Sequence, residues 1–304
     1  MKNHINNKLL VKDFTEDEII NILSYYQTDR KGLIKGIGDD CAVCETEGID
    51  HHVVYTSDAT IEDIHFKDGE IPERIGNKAI GRVLSDLAAM GAEPNWFIIN
   101  LSLPKNYKIA DLKSIYSRIK IVLDEYDSSI IGGDLSKSKK LAFNIFGVGK
   151  IKKNKPVFRS NVNANEMIWC TGQLGHSLSG RHLDFKPRIQ EGKWLSEYGH
   201  AKSMIDITDG LIKDLDRLLK NKYGAILYED TLKKMSSLNN VLYSGEDYEL
   251  LFTSSTDPSM LLHSWKNLFS CELTCIGYTT DRLNIYLKND KKINLVEIRG
   301  FQHF

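Results

Sequence analysis

The chain has 304 residues, of which 41% are hydrophobic and 27% charged, a composition typical of a soluble globular protein with a substantial core. Its 40 Lys and Arg residues balance its 41 Asp and Glu residues, so the net charge of −1 excludes a protein that attracts nucleic acid through its overall charge. We expect no signal peptide, because the N-terminus is polar, and no transmembrane helix, because long uncharged apolar runs are absent. These features predict a cytoplasmic protein with neither a nucleic-acid nor a membrane partner.

The cysteines favour a reducing compartment. They are odd in number and follow no disulfide-scaffold pattern: Cys41, Cys44, Cys170, Cys271 and Cys275. The first two and the last two have spacings that a Cys₄ zinc site accepts. Both pairs lie in apolar, strand-like segments, however, which favours buried free thiols.

Helix and strand signals alternate through the first half of the chain. Thr15 and Glu18 have capping-box spacing ahead of an apolar helical face. A helix is predicted from about Pro72 to Met90, with Gly91 as its C-terminal stop. Further segments are predicted as strands at 52–56, 96–101 and 142–148, and as a helix at 112–123.

A charged break from Lys150 to Lys155, followed by Pro156, separates two halves of similar organisation. The second half has strand-like segments at 167–171, 204–206, 249–253 and 274–277. A helix is predicted to begin at Asp209. We therefore predict two α/β domains, an N-terminal domain over 1–150 and a C-terminal domain over 151–304.

Six aspartates are predicted to lie in short turns or at the ends of elements, nearly all of them beside Gly, Ser or Thr: Asp40, Asp58, Asp86, Asp134, Asp206 and Asp209. Hard cations such as Mg²⁺ take carboxylate oxygens of this kind together with substrate phosphates. If these segments converge, they form a site for several Mg²⁺ ions and a nucleotide.

Each aspartate has a plain structural alternative. An Asx-turn explains Asp134, and a helix cap explains Asp209, as well as a metal site does. Asp40 follows Asp39 in a glycine turn, where two adjacent carboxylates repel each other unless a cation is near. Asp86 lies inside a predicted helix, where its structural alternative is a salt bridge to Arg82 one turn earlier.

Three further segments carry polar groups that are open to either interpretation. His65 is a packed histidine or a ligand, and Arg159 is a phosphate clamp or a surface arginine. The segment from Ser244 to Glu249 is a solvated turn or a site loop. No P-loop, dinucleotide fingerprint, EF-hand or protein-kinase motif is present, so any phosphate binding uses a less common architecture.

Seven segments, in this order, resemble the thiamine-monophosphate kinase family. They are 36–42, 57–66, 84–92, 131–134, 205–211, 245–250 and 300–304. The middle segments are shared with aminoimidazole ribonucleotide synthetase and selenophosphate synthetase. The segment Gly245-Glu246-Asp247-Tyr248-Glu249-Leu250 and the tail ending His303-Phe304 are similar to the thiamine enzyme itself.

This resemblance implies phosphorylation of thiamine monophosphate by ATP to thiamine diphosphate, by direct transfer with several Mg²⁺ ions. It implies a two-domain synthetase-like fold of mixed α/β (α+β) class. The N-terminal domain would contain a mixed sheet with helices that pairs across a homodimer. The C-terminal α/β domain would complete the nucleotide and substrate site.

The resemblance also implies roles for individual residues. Metal ligands, direct or through water, are expected at Asp40, Thr56, Ser57, Asp58, Asp86, Asp134, Asp206 and Asp209. Asp58, Asp86, Asp134 and Asp209 are the expected catalytic set. Nucleotide contacts are expected at Gly133, Asp134, Arg159 and Thr208. Substrate contacts are expected at His65, Glu246 and Ile298.

The chain departs from the family pattern at three places. Ile298 stands where the family usually has a Trp that stacks on the substrate. Leu135 and Ser136 replace the usual pair of threonines after Asp134, and the stretch 180–188 is short. None of these changes removes an expected metal ligand.

Two other functions stay open at this point. A relative similar to selenophosphate synthetase should carry a reactive Cys in an N-terminal glycine-rich loop, and no Cys precedes Cys41. A nucleotide-binding protein without turnover is the other alternative, and the complete set of aspartates argues against it.

Overall fold

The computed structural model describes residues 14–28, 30–48, 50–220 and 222–288, together with residue 293. In these ranges the chain forms twelve strands and nine α-helices. The strands are β1 (Leu33–Lys35), β2 (Ala42–Cys44), β3 (His51–Ile61), β4 (Glu93–Leu103), β5 (Ser129–Lys137), β6 (Ala142–Lys152), β7 (Met167–Thr171), β8 (Ser203–Asp206), β9 (Gly224–Leu227), β10 (Leu250–Ser254), β11 (Leu273–Thr280) and β12 (Asn284–Leu287). The helices are α1 (Glu16–Ser24), α2 (Pro72–Met90), α3 (Ile109–Asp124), α4 (Arg181–Asp184), α5 (Ile189–Glu197), α6 (Leu211–Leu219), α7 (Glu229–Met235), α8 (Leu238–Tyr243) and α9 (Pro258–Leu268).

Helix α2 is the long buried helix of the structure, and its predicted bounds are confirmed. Pro72 occupies the first helical turn, where its missing N–H has no helical partner to lose. At the other end Gly91 adopts φ 74°, and its N–H donates to the carbonyls of Leu87 and Ala88. A left-handed residue of this kind is the usual glycine stop, so both ends are determined locally.

The first sheet has the strand order β1-β2-β3-β6-β4-β5. Only β4 and β5 pair in parallel, so the sheet is mixed, as expected. Helix α2 packs against β3, β4 and β6 and also against α3, so the helices cover one face of the sheet. That face buries Val54, Phe97, Ile99, Phe143 and Ile145.

Two strands run further than the sequence predicts. Strand β3 pairs with β6 from His51 to Ile61, so Asp58 lies within the strand rather than at its end. Strand β5 pairs with β4 as far as Lys137, so Asp134 also lies within a strand and not in a turn. In both segments the continuous hydrogen-bonded ladder outweighs the local turn preference of Gly and Asp.

The second sheet has the order β12-β9-β11-β7-β10-β8 and is also mixed, with β12 parallel to β9. Together the two sheets and their helices confirm the predicted mixed α/β class. The domain division at residue 150 stays a prediction. The first sheet ends at Lys152, but one buried cluster joins Phe97 of the first sheet to Trp169, Met204 and Phe252 of the second.

The short stretch 180–188 docks on α2. Arg74 donates to both carboxylate oxygens of Asp184, and Asn77 donates to the carbonyls of Leu183 and Phe185 at 3.0 and 3.1 Å. Within the described ranges no helix is both long enough and apolar enough to cross a membrane. Helix α2 is thus the element that the first sheet, α4 and α5 share.

Helices α2 and α5 approach closely because Gly192 faces α2. A Cβ added at Gly192 would lie 2.1 Å from the carbonyl oxygen of Ala88. That oxygen belongs to a buried helix backbone, so neither side has room to move.

We predict that Gly192→Ala lowers the free energy of unfolding by about 1–3 kcal/mol, the usual effect of overpacking. Gln190→Ala, at an exposed position of the same helix, should change it by less than about 0.5 kcal/mol. Urea unfolding monitored by circular dichroism measures both. Equal stability of the two variants would contradict the close helix contact.

Candidate active site

Three acidic side chains from distant parts of the chain converge in one cluster. Asp40 follows β1, Asp86 lies in α2 and Asp206 ends β8. Each contributes a carboxylate oxygen, and these oxygens all lie within 4.8 Å of one another. Asp40 and Asp206 are buried, with 8% and 2% of their surface exposed. In the described part of the chain, no other group of three or more His, Cys, Asp or Glu ligands converges in this way.

Hydroxyl groups and one guanidinium hold this acidic cluster in place. Thr56 Oγ1 donates to Asp86 Oδ2 at 2.5 Å, and Ser85 Oγ donates to Asp206 Oδ2 at 2.5 Å. Arg159 Nε donates to Asp40 Oδ2 at 2.9 Å. Arg159 is therefore a half-buried ion-pair partner of the acidic cluster, not a surface arginine.

The carboxylates of the acidic cluster resist ionising together. Burial, followed by repulsion from Asp40, raises the pKa of Asp206 to about 8. Burial, followed by repulsion from Asp206 and Asp58, raises the pKa of Asp86 well above its usual value. A divalent cation reverses this effect because it favours the charged carboxylates, and the all-oxygen donors fit Mg²⁺. The residues present therefore fit the metal that the sequence predicts.

Asp58 is engaged by an arginine. Arg82 Nε donates to Asp58 Oδ2 at 2.8 Å and Arg82 Nη2 donates to Asp58 Oδ1 at 2.7 Å. The Ala59 N–H also donates to Asp58 Oδ1, at 2.7 Å. The alternative that Arg82 pairs with Asp86 is therefore wrong: the guanidinium turns toward β3 rather than along its own helix.

A second charged cluster surrounds Glu246. Lys78 Nζ lies 2.5 Å from Glu246 Oε1 and 2.6 Å from His182 Nδ1, and it donates to the His65 carbonyl at 2.6 Å. The Tyr248 hydroxyl donates to Glu246 Oε1 at 3.2 Å. Burial lowers the pKa of Lys78 to about 8, although Glu246 acts in the opposite direction. Lys78, fully buried, is therefore held here by its partners.

The loop that carries Glu246 is joined to the loop that follows Asp206. The Glu246 N–H donates to the Thr208 carbonyl at 2.7 Å, and the Tyr248 N–H donates to Ile207 O at 2.9 Å. A Cβ on Gly245 would lie 2.4 Å from that Thr208 oxygen, so only glycine fits. Glu246 itself has φ 62°, an uncommon conformation for a residue with a side chain. The expected nucleotide residue Thr208 and the expected substrate residue Glu246 thus belong to one unit.

Asp209 is not a member of the acidic cluster and is paired with cations. Its Oδ2 is 2.8 Å from Lys213 Nζ and 2.6 Å from Arg217 Nη1. Burial opposes ionisation, but Arg217 and Lys213 hold the pKa of Asp209 below its usual value. Asp214 accepts the N–H groups of Thr208 and Asp209, both at 2.9 Å, and so fixes the start of α6.

Gly133 and Asp134 lie on the exposed edge strand β5. Asp58 on β3 lies opposite Ile145 on β6. Ile145 in turn lies opposite Ile99 on β4, and Ile99 lies opposite Gly133 on β5. Gly133 is therefore three strands from Asp58, about 14 Å at ordinary strand spacing. Asp134, the next residue, points to the opposite face of the sheet from Asp58. The structure does not bring Asp134 to the acidic cluster within one chain.

The remaining expected residues have mixed placements. Ser57 is exposed on the face of β3 away from α2. His65 is buried, and its Nδ1 accepts the Ile61 N–H at 3.0 Å. Ile298 lies outside the described residues, as does the tail ending His303-Phe304. All five cysteines are free, and Cys44 and Cys275 belong to different sheets.

Three side chains of the site were not found from the sequence, namely Lys78, Arg82 and Tyr248. A signal was present for two of them. Lys78, Arg82 and Asp86 are four residues apart along a largely buried helix, so they share one face. Charges repeated at that spacing on an apolar helix indicate a polar site beside it.

Three comparisons with known proteins agree with one another. The profile of the family described as AIR synthase related protein, N-terminal domain, matches residues 38–151. The thiamine-monophosphate kinase of Buchnera aphidicola subsp. Acyrthosiphon pisum is 34% identical, over 96% of this chain and 99% of that protein. The thiamine-monophosphate kinase of Haemophilus influenzae is 31% identical, over 88% of this chain and 91% of that protein. A solved structure described as AaThiL complexed with AMPPCP and TMP superposes with a TM-score of 0.82 at 26% identity, covering 97% of this chain and 99% of that one.

The acidic cluster yields a prediction about metal and stability. We predict that Asp86→Asn stabilises the metal-free protein by about 0.5–2 kcal/mol, because it removes one of three mutually repelling carboxylates. The same change should abolish stabilisation by Mg²⁺, which for the natural chain is about 2.7 kcal/mol at 100 times the dissociation constant. Thermal unfolding in EDTA and in Mg²⁺ measures both effects.

Asp124→Asn, at an exposed position of α3, is the control and should retain the response to Mg²⁺. An Asp86→Asn protein that Mg²⁺ stabilises as strongly as the natural chain would show that the cation binds elsewhere.

Proposed function

The chain belongs to the thiamine-monophosphate kinase family, and from that premise we propose that it transfers the γ-phosphate of ATP to thiamine monophosphate, forming thiamine diphosphate and ADP. The observation that carries this proposal is the convergence of Asp40, Asp86 and Asp206 beside the loop of Glu246. An acidic, oxygen-only donor set beside a second acidic group suits metal-bound phosphates at one end and a cationic ring at the other.

Asp40, Asp86 and Asp206 would hold Mg²⁺, with Thr56 beside them. When bound, the cation would neutralise charge on the transferring phosphoryl group and help to orient it. The roles expected for Ser57, Asp58 and Asp209 remain proposals, and the ion pair of Asp58 with Arg82 is the feature a metal at Asp58 has to accommodate.

The reaction makes few demands on acid–base groups. The acceptor oxygen belongs to a phosphate and is already anionic, so no side chain has to remove a proton from it. The protein has to bring two polyanions together and keep them aligned. Arg159 beside Asp40, and Arg217 of α6 beside Asp209, supply fixed positive charge next to the loops we assign to the nucleotide.

Recognition of the thiazolium ring is assigned to Glu246, whose carboxylate complements the ring's positive charge. Lys78 and Tyr248 orient that carboxylate, at 2.5 and 3.2 Å from Oε1. His65 contributes its backbone carbonyl, which accepts a hydrogen bond from Lys78. These contacts support a preformed substrate site rather than one assembled from mobile groups.

We further propose a homodimer formed through the first sheet. The face of the sheet away from α2 exposes apolar side chains, including Trp96 at 44% and Phe146 at 37%, and Phe146 stacks on Tyr55. Strand β5 leaves an edge with exposed Ile131 and Leu135. An apolar face and an unpaired edge of this kind are normally covered, and a second copy of the chain fits both.

The dimer also explains Asp134. Since Asp134 points to that same face, which is exposed among the described residues, its expected role in the site requires a second copy to bring it there. We therefore assign Asp134 to the site of the other copy, together with the backbone of its neighbour Gly133.

The reaction predicts selective turnover. Incubated with ATP and Mg²⁺, the protein should form ADP and thiamine diphosphate from thiamine monophosphate and nothing from free thiamine. Asp206→Asn should lower kcat by at least about 100-fold, because it removes a metal ligand at the transferring group. Chromatographic detection of both products measures this, with Asp124→Asn as the control that keeps full activity.

Tight binding of Mg·ATP without either product would favour a nucleotide-binding protein without turnover. Turnover of ATP with selenide instead of thiamine monophosphate would favour a relative of selenophosphate synthetase.

The dimer predicts the behaviour of Trp96→Asp. A charge on the apolar face should convert a dimer of twice 34.6 kDa into a monomer, as measured by light scattering. The monomer should also lose turnover, because Asp134 then has no second copy to serve. Ile121→Asp, at a 51% exposed position of α3, should change neither property. A monomeric and fully active Trp96→Asp protein would contradict the role assigned to Asp134.

A further inference from the structure

Helix α2 places three charged side chains on one face, and each belongs to a different part of the site. Asp86 lies in the acidic cluster, four residues after Arg82, which itself follows Lys78 by four. Lys78 pairs with Glu246, as described above. Arg82 is the middle member of this row. The metal and ring contacts proposed above give it no role.

Arg82 contacts both ends of the site at once. It forms the bidentate pair with Asp58, and its Nη1 donates to the Tyr248 hydroxyl at 3.2 Å and lies 3.8 Å from Glu246 Oε1. Of the five N–H groups of the guanidinium, three have partners among the described residues and two remain for a ligand. Its side chain is 13% exposed, so the group is positioned by its partners and still open to the site.

The substrate has the same arrangement of charge. This step rests on the proposed function: thiamine monophosphate carries a cationic ring at one end and an anionic phosphate at the other. If Glu246 takes the ring, the phosphate has to lie toward the acidic cluster, where the second phosphate arrives. Between Glu246 and Asp58 the structure has Arg82.

We propose that Arg82 binds the phosphate of thiamine monophosphate and thereby selects the phosphorylated acceptor over free thiamine. A guanidinium is always charged and presents several parallel donors, which suits a phosphate group. Asp58 fixes the plane of the guanidinium, and Tyr248 fixes its far end. A phosphate bound there has its free oxygens on the side of the acidic cluster.

The test compares two ligands that differ only in the phosphate. Calorimetry with a non-hydrolysable ATP analogue and Mg²⁺ present gives the dissociation constants of thiamine monophosphate and of thiamine. Arg82→Met should weaken binding of the monophosphate about 10- to 100-fold, the effect of losing a charge-assisted contact. Binding of thiamine should change by less than about twofold. Arg82→Lys, which keeps the charge and loses the fork, should fall between the two.

Arg74→Met is the matched control, because Arg74 lies on the same helix and forms a similar bidentate pair, with Asp184. It should affect neither ligand. Thermal unfolding of each variant separates a folding defect from a binding defect, and Arg82→Lys preserves the ion pair if Arg82→Met does not fold.

Equal weakening of both ligands, or no weakening of either, would overturn the assignment of Arg82. If the natural chain nevertheless turns over thiamine monophosphate, the proposed function stands. If the natural chain itself does not bind thiamine monophosphate, the proposed function fails and this assignment fails with it.

Discussion

The repulsion among three clustered carboxylates, two of them buried and one half-buried, is the constraint on which the rest of this structure depends. Asp40, Asp86 and Asp206 have oxygens within 4.8 Å of one another, where ionised groups are costly without a compensating cation. The chain offsets part of this cost with Arg159 and with the Thr56 hydroxyl. The repulsion that remains favours binding of a divalent cation, because the cation relieves it. Asp86 lies within α2 and Asp206 at the end of β8, and Arg159 is paired with Asp40, so the three carboxylates are each held in place.

Helix α2 connects this acidic cluster to the second charged cluster. It is buried over most of its 19 residues, and it is the element that the first sheet, α4 and α5 share. Asp86 near its C-terminal end and Lys78 near its middle are therefore held on one rigid element. The Thr208–Glu246 hydrogen bond joins the two loops that face this helix. Positions on a common helix and on joined loops are more precise than positions on separate loops.

The sequence was sufficient where a structural feature depends on neighbours in the chain. Pro72 and Gly91 determine the ends of α2 locally, and both ends were predicted correctly. It was insufficient where partners are remote. Asp134 was assigned to a turn because Gly precedes it, but pairing with β4 extends the strand. From the sequence, Asp86 was the expected ion-pair partner of Arg82, one helical turn away. Its actual partner is Asp58, which lies on a strand 24 residues earlier. Such choices depend on which surfaces pack together, and spacing alone does not contain that information.

The arrangement of charge in the site gives it direction. Moving from Asp86 along α2, the structure presents an acidic cluster, then the cation of Arg82, then the carboxylate of Glu246 with Lys78 behind it. A ligand with a negative end and a positive end matches this alternation in only one orientation, because reversing it sets like charges against each other. The matched orientation sends the ligand's phosphate toward the acidic cluster. Under the role proposed for Arg82, selectivity for the substrate and alignment for transfer arise from the same row of charges.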